Sequence, residues 1–456
     1  MKYITAFLTC LLAVVVGAML ALNILGVTSP VVYYAQFEDK IDFSKTVSTE
    51  TTEYEYDEES GTLPSYYNSA DHGRVNRSRD QGELGACWAF AANAALECRL
   101  LPDEQWDFSE DHMLYNNGFN VGNSDGGDFY MAVAYLAAWK GPVVEEDDPY
   151  NDGYTNADAV VVKHLQEALF LENESFETIK QMIYEYGAVE SSIHIAIDDG
   201  QYIDETYYNR YNYSYCYDGS LDANHEIIII GWDDSYSKDN FNTGASSDGA
   251  FICMNSWGSE FGNYGIFYVS YDDAWIAKSA EVYTVIEDND NYDNIYQNDE
   301  CGWIGRMGYE NSTAFFANVY TAQSSEVLKA VSFYATDVNS QYKVYVCTDY
   351  ETEEDLLTNR KLYAYGTLDY AGYYTVTFGS DVALDAGQKY AVIVEINTPG
   401  SLHPVAVEMS AGDNKTATIS TAGKESYISL DGISWSCTQT DSNCNVCLKA
   451  FTDNVG

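Results

Sequence analysis

Residues 81–90 read QGELGACWAF and open directly into the run WAFAANAALECRL at 88–100. The glycines and polar residues of 81–85 read as a loop, whereas 88–100 is rich in good helix formers. Cys87 therefore stands where loop becomes helix. A helix start presents free backbone N–H groups and the positive end of its dipole, and both favour a thiolate over a thiol. Cys87 is on this ground a candidate nucleophile, with an inert buried thiol as the alternative. Its own N–H and the side-chain amide of Gln81 are candidate donors for an oxyanion.

A thiol nucleophile also needs a base and a group that fixes the base. The chain has six histidines, His72, His112, His164, His194, His225 and His403. His225 stands immediately before the β-branched run of NHEIIIIGW, a place where a strand would hold it rigidly. Asn255 lies in GAFICMNSWGSEFGNYGIFYVSY, between two strand patterns. It is placed to accept a hydrogen bond from His225 and select the tautomer, while Trp257 screens that bond from water.

QGELGACWAF, NHEIIIIGW and NSWGSEFGNYG together resemble the active-site segments of the papain-like (C1) cysteine peptidases. They occur in the family's order of Gln, Cys, His and Asn, within residues 63–285. The resemblance implies an α+β fold with a two-lobed catalytic domain, one lobe helical and the other β-barrel-like. It implies a cysteine endopeptidase acting through an acyl-enzyme thioester, with Cys87 as nucleophile, His225 as acid and base, Asn255 as orienting group and Gln81 in the oxyanion site. A pre-formed Cys87–His225 ion pair is expected by the same analogy, and neither a metal nor an organic cofactor is expected. Phe108-Ser109-Glu110 resembles the start of a family helix, with Ser109 as its N-cap. Gly126-Gly127 resembles the stretch whose backbone pairs with a bound peptide, where glycine allows close approach; an ordinary loop is the alternative. The residue after the family's histidine, commonly Ala, helps line the pocket for the second side chain before the cut. Glu226 stands there instead. If it reaches that pocket it favours Lys or Arg; otherwise it turns toward solvent or a neighbouring arginine. A disulfide frequent in the family is missing, Leu84 and approximately Asn116 occupying its two positions.

Outward from this block, 456 residues predict two or three folded units. Residues 3–27 are almost wholly apolar and uncharged. They read as an export signal within 1–28, either cleaved or retained as an anchor. Everything after about residue 29 is therefore expected to be extracellular, secreted or held at the cell surface. Residues 29–62 read as a flexible acidic linker or short propeptide, 63–285 as the protease domain and 286–456 as a second domain. In that second domain strand follows strand, as in VLKAVSFYA, YKVYVC, GYYTVTF and KYAVIVEI, the pattern of an all-β sandwich. With CGWIGRMGY it resembles the lectin-like domain that follows the protease in some bacterial cell-surface C1 peptidases. Cell-wall or surface carbohydrate is a candidate partner for it. Trp303 and Trp435 are either sugar platforms or buried core, and the acidic joint 286–298 is a candidate for calcium without EF-hand spacing.

The balance of 22 basic against 71 acidic side chains gives a formal net charge of -49. Such a field repels nucleic acid and anionic membranes and draws in cationic peptides, so protein or peptide substrates are the expected partners. Of ten cysteines, Cys10 lies in the export segment and Cys87 has its own role. The remaining eight permit disulfides of unspecified pairing. Cys437, Cys444 and Cys447 form a possible zinc set that lacks a fourth ligand nearby. Two other functions compete: an adhesin built on an inactive protease, and a cell-wall amidase using Cys and His.

Overall fold

The computed structural model describes residues 31–34, 63–122, 125–198, 202–410, 416 and 419–455. The apolar run 3–27 and the acidic stretch 44–61 lie outside the described residues. Strand β1 (Val31–Tyr34) is followed, beyond residue 62, by four helices that matter for the site. Helix α1 (Cys87–Leu100) is buried on nearly every side, and its five alanines let neighbouring backbones approach closely. Helix α2 (Glu110–Asn116) is capped by Ser109, whose Oγ accepts the His112 N–H at 3.0 Å. Helix α3 (Phe129–Ala137) is capped by Asp128, whose Oδ1 accepts the Met131 N–H at 3.1 Å. Strand β2 (Lys163–Glu172) then leads to α4 (Phe176–Tyr186), which buries Ile179, Met182 and Ile183 on one face.

Strands β3 (Val189–Ile193), β4 (His225–Asp233), β5 (Ala250–Met254), β6 (Ile266–Ser270) and β7 (Ser279–Asp288) complete this half. The order β2-β7-β3-β4-β5-β6 forms one antiparallel sheet. Alternation sorts its faces: Ile228 and Ile230 pack with α1, whereas Ile227 and Ile229 pack with α4. β4 is thus a central strand buried on both faces, which is why its sequence is unbroken isoleucine rather than alternating.

The second half contains β8 (Gly305–Gly308), β9 (Thr313–Thr321), β10 (Glu326–Ala335), β11 (Ser340–Cys347), β12 (Ala371–Leu384), β13 (Lys389–Asn397), β14 (Val405–Met409) and β15 (Leu448–Asn454). β11, β13 and β9 run side by side in a six-stranded sheet packed over β15, β10 and β12. This is the expected sandwich. Its second layer does not stop at the expected boundary, however. Residues 371–374 of β12 pair with 167–170 of β2, so among the described residues one thirteen-stranded sheet runs through both halves. The core is shared as well. Trp303, Tyr334 and Tyr373 of the second half pack with Phe170 and with α1 and α3 of the first.

Within 29–62, read as a flexible linker or short propeptide, the described residues are Val31–Tyr34, which add a strand antiparallel to β8. Val-Val-Tyr-Tyr has high strand propensity, and β8 offers it an open edge. Trp303 is 3% exposed, wedged against Tyr130, Phe170 and Tyr334 with Arg306 over its ring, so it is no sugar platform. Nine free cysteines occur among the described residues, and all but Cys87 are buried. The Cys447 thiol donates to Gly302 O, while Cys444 Sγ lies 4.0 Å from Thr438 O, and no metal-binding cluster of three or more His, Cys, Asp or Glu occurs among the described residues.

Candidate active site

Cys87 is the first residue of α1, and the N-cap position, Ala86, makes no side-chain capping bond. The Ala89 and Phe90 N–H groups donate to Ala86 O at 3.0 and 3.1 Å, which leaves the N–H groups of Cys87 and Trp88 to face the thiol. Across from it, β4 begins at His225, which pairs with Ile193 of β3. Cys87, His225, Glu226, Gly126 and Gly127 all line one open cleft of about 480 Å3 between the helical and sheet lobes. Gly126 has φ +77, a left-handed conformation that side chains rarely adopt. A Cβ on Gly127 would lie 2.7 Å from the Trp88 ring, so glycine there serves the packing of α1 as well as access to the cleft.

Behind the cleft wall a polar network holds His225, Asn255 and Gln81 in place. His225 Nε2 lies 2.7 Å from Asn255 Oδ1, and the same oxygen accepts the Ser256 N–H at 2.8 Å. Since an amide nitrogen cannot accept the Ser256 N–H, this atom is the oxygen, and His225 carries its proton on Nε2. Nδ1 is then the nitrogen left for the thiol. The Trp257 ring sits 5.1 Å from the imidazole, centroid to centroid, at an interplanar angle of 42°. Gln81 Oε1 accepts from Ser256 Oγ at 2.6 Å, and its Nε2 donates one proton to Leu84 O at 2.9 Å. The second Nε2 proton is left for a ligand. Ser78 Oγ holds the Asn255 carbonyl at 2.6 Å, and the Tyr150 hydroxyl holds that of Gln81 at 2.8 Å. Asn255 and Trp257 thus support His225 from behind rather than line the cleft.

Burial pushes the Cys87 thiol up, although the N–H groups of Glu226, Trp88 and Cys87 itself pull the other way. Burial also lowers His225, against its bond to Asn255 and the nearby Glu226. Both shifts favour the neutral pair, contrary to the ion pair that the resemblance implies. The physical cause is desolvation of both groups in a narrow site. Glu226 is buried at the cleft wall; its Oε1 accepts from Ser192 Oγ at 2.6 Å and its Oε2 has no hydrogen-bond partner among the described residues. It therefore turns neither to solvent nor to an arginine.

Ser256, Ser78, Ser192, Glu190 and Glu281 are the surrounding residues that sequence reasoning missed. Ser256 was readable only as part of NSWG. Glu190 and Glu281 sit in AVESSI and SAEVYTV, where alternation reads as one buried and one wet face. Here the second face is buried too.

Residues 63–286 match the papain family cysteine protease and residues 295–452 match the lectin-like domain. The chain belongs to the papain-like cysteine peptidases that carry a lectin-like domain. A crystal structure of the cysteine protease and lectin-like domains of Cwp84, a surface layer associated protein of Clostridium difficile, superposes with a TM-score of 0.76 at 28% identity, covering 86% of this chain and 90% of that one. A second structure, of Cwp84 after propeptide cleavage, gives 0.77 at 27% identity, over 86% and 99% of the two chains. Among curated relatives, a viral cathepsin of Heliothis zea nuclear polyhedrosis virus is 27% identical over 213 residues, 45% of this chain and 52% of the relative. Cysteine proteinase 1 of Entamoeba histolytica is 29% identical over 205 residues, 42% and 59% of the two. The chain thus spans between half and three fifths of these two relatives.

Proposed function

We propose that this chain is a cysteine endopeptidase that works outside the cytoplasm through Cys87, His225 and Asn255. The observation that supports the reading is that one cleft is lined by both a helix-start thiol and an imidazole whose Nε2 lies 2.7 Å from an asparagine oxygen. In this mechanism Cys87 Sγ attacks the scissile carbonyl as its proton passes to His225 Nδ1. The Cys87 N–H and the free Gln81 Nε2 proton receive the oxyanion. Collapse of the tetrahedral adduct breaks the C–N bond, and His225 delivers its proton to the leaving amine. Water, giving a proton to the same nitrogen, then cleaves the thioester and restores the thiol.

The surface location rests on the apolar run 3–27 and on Cwp84 being described as surface layer associated. The apolar run would export or anchor the chain, and the lectin-like half would dock it on surface carbohydrate. The function is tested by labelling with an epoxysuccinyl inhibitor and mapping the adduct, alongside a Cys87→Ala variant. Labelling at Cys87 and a loss of peptide hydrolysis of at least about a thousandfold are expected. Full binding to surface glycan with no hydrolysis by the wild type would instead favour the adhesin reading. Hydrolysis of wall peptide amides but of no polypeptide would favour the amidase.

A further inference from the structure

At the joint between the two halves lies an open cavity of about 370 Å3 that shares no lining residue with the catalytic cleft. Gly118, just past α2, and Lys140, just past α3, wall it on the protease side. Gln297, Glu300, Glu408 and Gln439 belong to its lectin-like side. Hydrogen bonds hold these side chains in fixed poses. Glu408 is 2% exposed; its Oε1 accepts the Cys301 N–H at 2.8 Å and its Oε2 accepts from Asn445 Nδ2 at 2.7 Å. Gln439 is equally enclosed, donating from Nε2 to Asn445 Oδ1 at 2.8 Å and accepting the Glu425 N–H on Oε1 at 2.9 Å. Gln297 donates to Ala138 O at 3.1 Å and accepts from Lys449 Nζ at 2.8 Å. Lys140 reaches across the seam to Glu300 at 3.1 Å and donates to Asn117 O at 3.3 Å. Glycine at 118 leaves room for that lysine, since a Cβ there would collide with Nζ.

A wall so fixed keeps bonding capacity: a second lone pair on each Glu408 oxygen, the second Nε2 proton of Gln439 and a third Nζ proton of Lys140. Burial also pushes Glu408 up to about 7, so near neutral pH its carboxyl both donates and accepts. The size falls within the range of about 300–1,000 Å3 usual for ligand pockets, which favour such joints between domains. The lining excludes several ligand classes. An apolar ligand meets Ile419 as the one aliphatic side chain, and no aromatic ring lines the cavity among the described residues. An anion meets Glu300, Glu408 and Glu425 against Lys140 alone. A bare metal ion needs a close set of acidic, His or Cys ligands, and no such set occurs among the described residues. A ligand of many hydroxyls, each giving and taking a hydrogen bond, matches what remains. We propose that this seam cavity is a saccharide site, which takes a neutral sugar unit of a glycan between Gln439 and Glu408 on one side and Lys140 on the other. Helix α3 joins it to the catalytic cleft, with Asp128 at its start lining the cleft and Lys140 beyond its end lining the cavity. A glycan seated here therefore anchors the protease half directly, not through the lectin-like half alone.

This proposal rests on the reading that the lectin-like half docks on carbohydrate, and its test separates the two. The methyl glycosides of N-acetylglucosamine, mannose and galactose are titrated against the full chain by saturation-transfer NMR, with N-acetylneuraminic acid as the anionic control. Binding of at least one neutral sugar and none of the acid is expected. Gln439→Ala and Lys140→Ala should each weaken that binding by about tenfold or more, since each removes a hydrogen-bonding group from the enclosed wall. Lys140→Ala should leave kcat on a short peptide unchanged. Sugar binding that survives both substitutions overturns the seam site and leaves carbohydrate docking elsewhere on the lectin-like half standing. Binding that falls in Gln439→Ala but not in Lys140→Ala takes the protease half out of the site and also overturns it. Binding of no neutral sugar overturns the docking reading and the seam site together. If Gln439→Ala does not fold, Lys140→Ala decides the matter alone, because that side chain is partly exposed and its loss spares the core.

Discussion

At the scale of single residues, the site turns on what burial does to Cys87. Three backbone N–H groups and a helix start favour its thiolate, and desolvation opposes them more strongly. The chemistry is therefore expected to show in the pH dependence of alkylation by iodoacetamide, which needs no substrate. With the thiol raised and His225 lowered, the reactive thiolate becomes populated only as pH rises, so the rate should climb at least tenfold between pH 6 and pH 8.5. A rate already at its plateau at pH 5 would show a resting ion pair. His225→Ala should shift this profile little, because the imidazole is not what holds the proton off. The placement of Cys87 at a helix start, His225 at a strand start and Asn255 in a loop between strands was legible in the sequence. Their electrostatics were not, because desolvation depends on which other residues close over them.

At the scale of elements, strands β3, β4 and β7 explain both what was readable and what was hidden. β4 announces itself as a doubly buried strand by Ile227–Ile230, and that placement fixes His225. Glu190 and Glu281 alternate with Val189, Ala280 and Val282, and a strand so patterned reads as half wet. Only the stacking of the α1–α3 lobe over that face buries them, a long-range fact that no local window contains. The consequence is measurable as stability against pH. A carboxyl raised on folding binds its proton more tightly in the native state, so stability is greatest below the ordinary carboxylate range of about 4.5 and declines as pH rises toward the raised value. Wild type should accordingly melt several degrees lower at pH 8 than at pH 5.5. Glu190→Leu removes an orphaned acid and fills its place with carbon, which should stabilise the chain at pH 8 by about 1–3 kcal/mol and flatten the pH dependence. Thermal scans at the two pH values check this, and a destabilised Glu190→Leu would mean the carboxyl has a partner in the native state.

At the scale of the whole molecule, a run of strands after a mixed helical region reads as two domains in tandem, and each half keeps its expected architecture. What the run of strands does not disclose is that β12 pairs with β2, since strand partners two hundred residues apart leave no mark on local pattern. The contact is close. A Cβ at Gly372 would lie 2.2 Å from Ala168 O and 3.1 Å from Leu169 Cα, so the two backbones meet there only because the residue is glycine. Trp303, Tyr334 and Tyr373 continue the seam into the core around Phe170, and Lys449 with Asp299 is sealed beneath it at 3.0 Å. The lectin-like half is therefore part of what keeps the sheet floor under the cleft in place. Gly372→Val wedges the seam open and should cost about 1–3 kcal/mol, lowering the melting temperature by roughly 2–10 °C. Ending the chain near residue 290 bares the 167–170 edge of β2 together with the aromatic side of Phe170. That shortened chain should aggregate, because an unpaired apolar strand edge templates further pairing. Size-exclusion chromatography of the two variants, with short-peptide hydrolysis, distinguishes the possibilities. A monomeric truncated chain with wild-type kcat would show that the halves are independent, and that the shared sheet contributes nothing to the site.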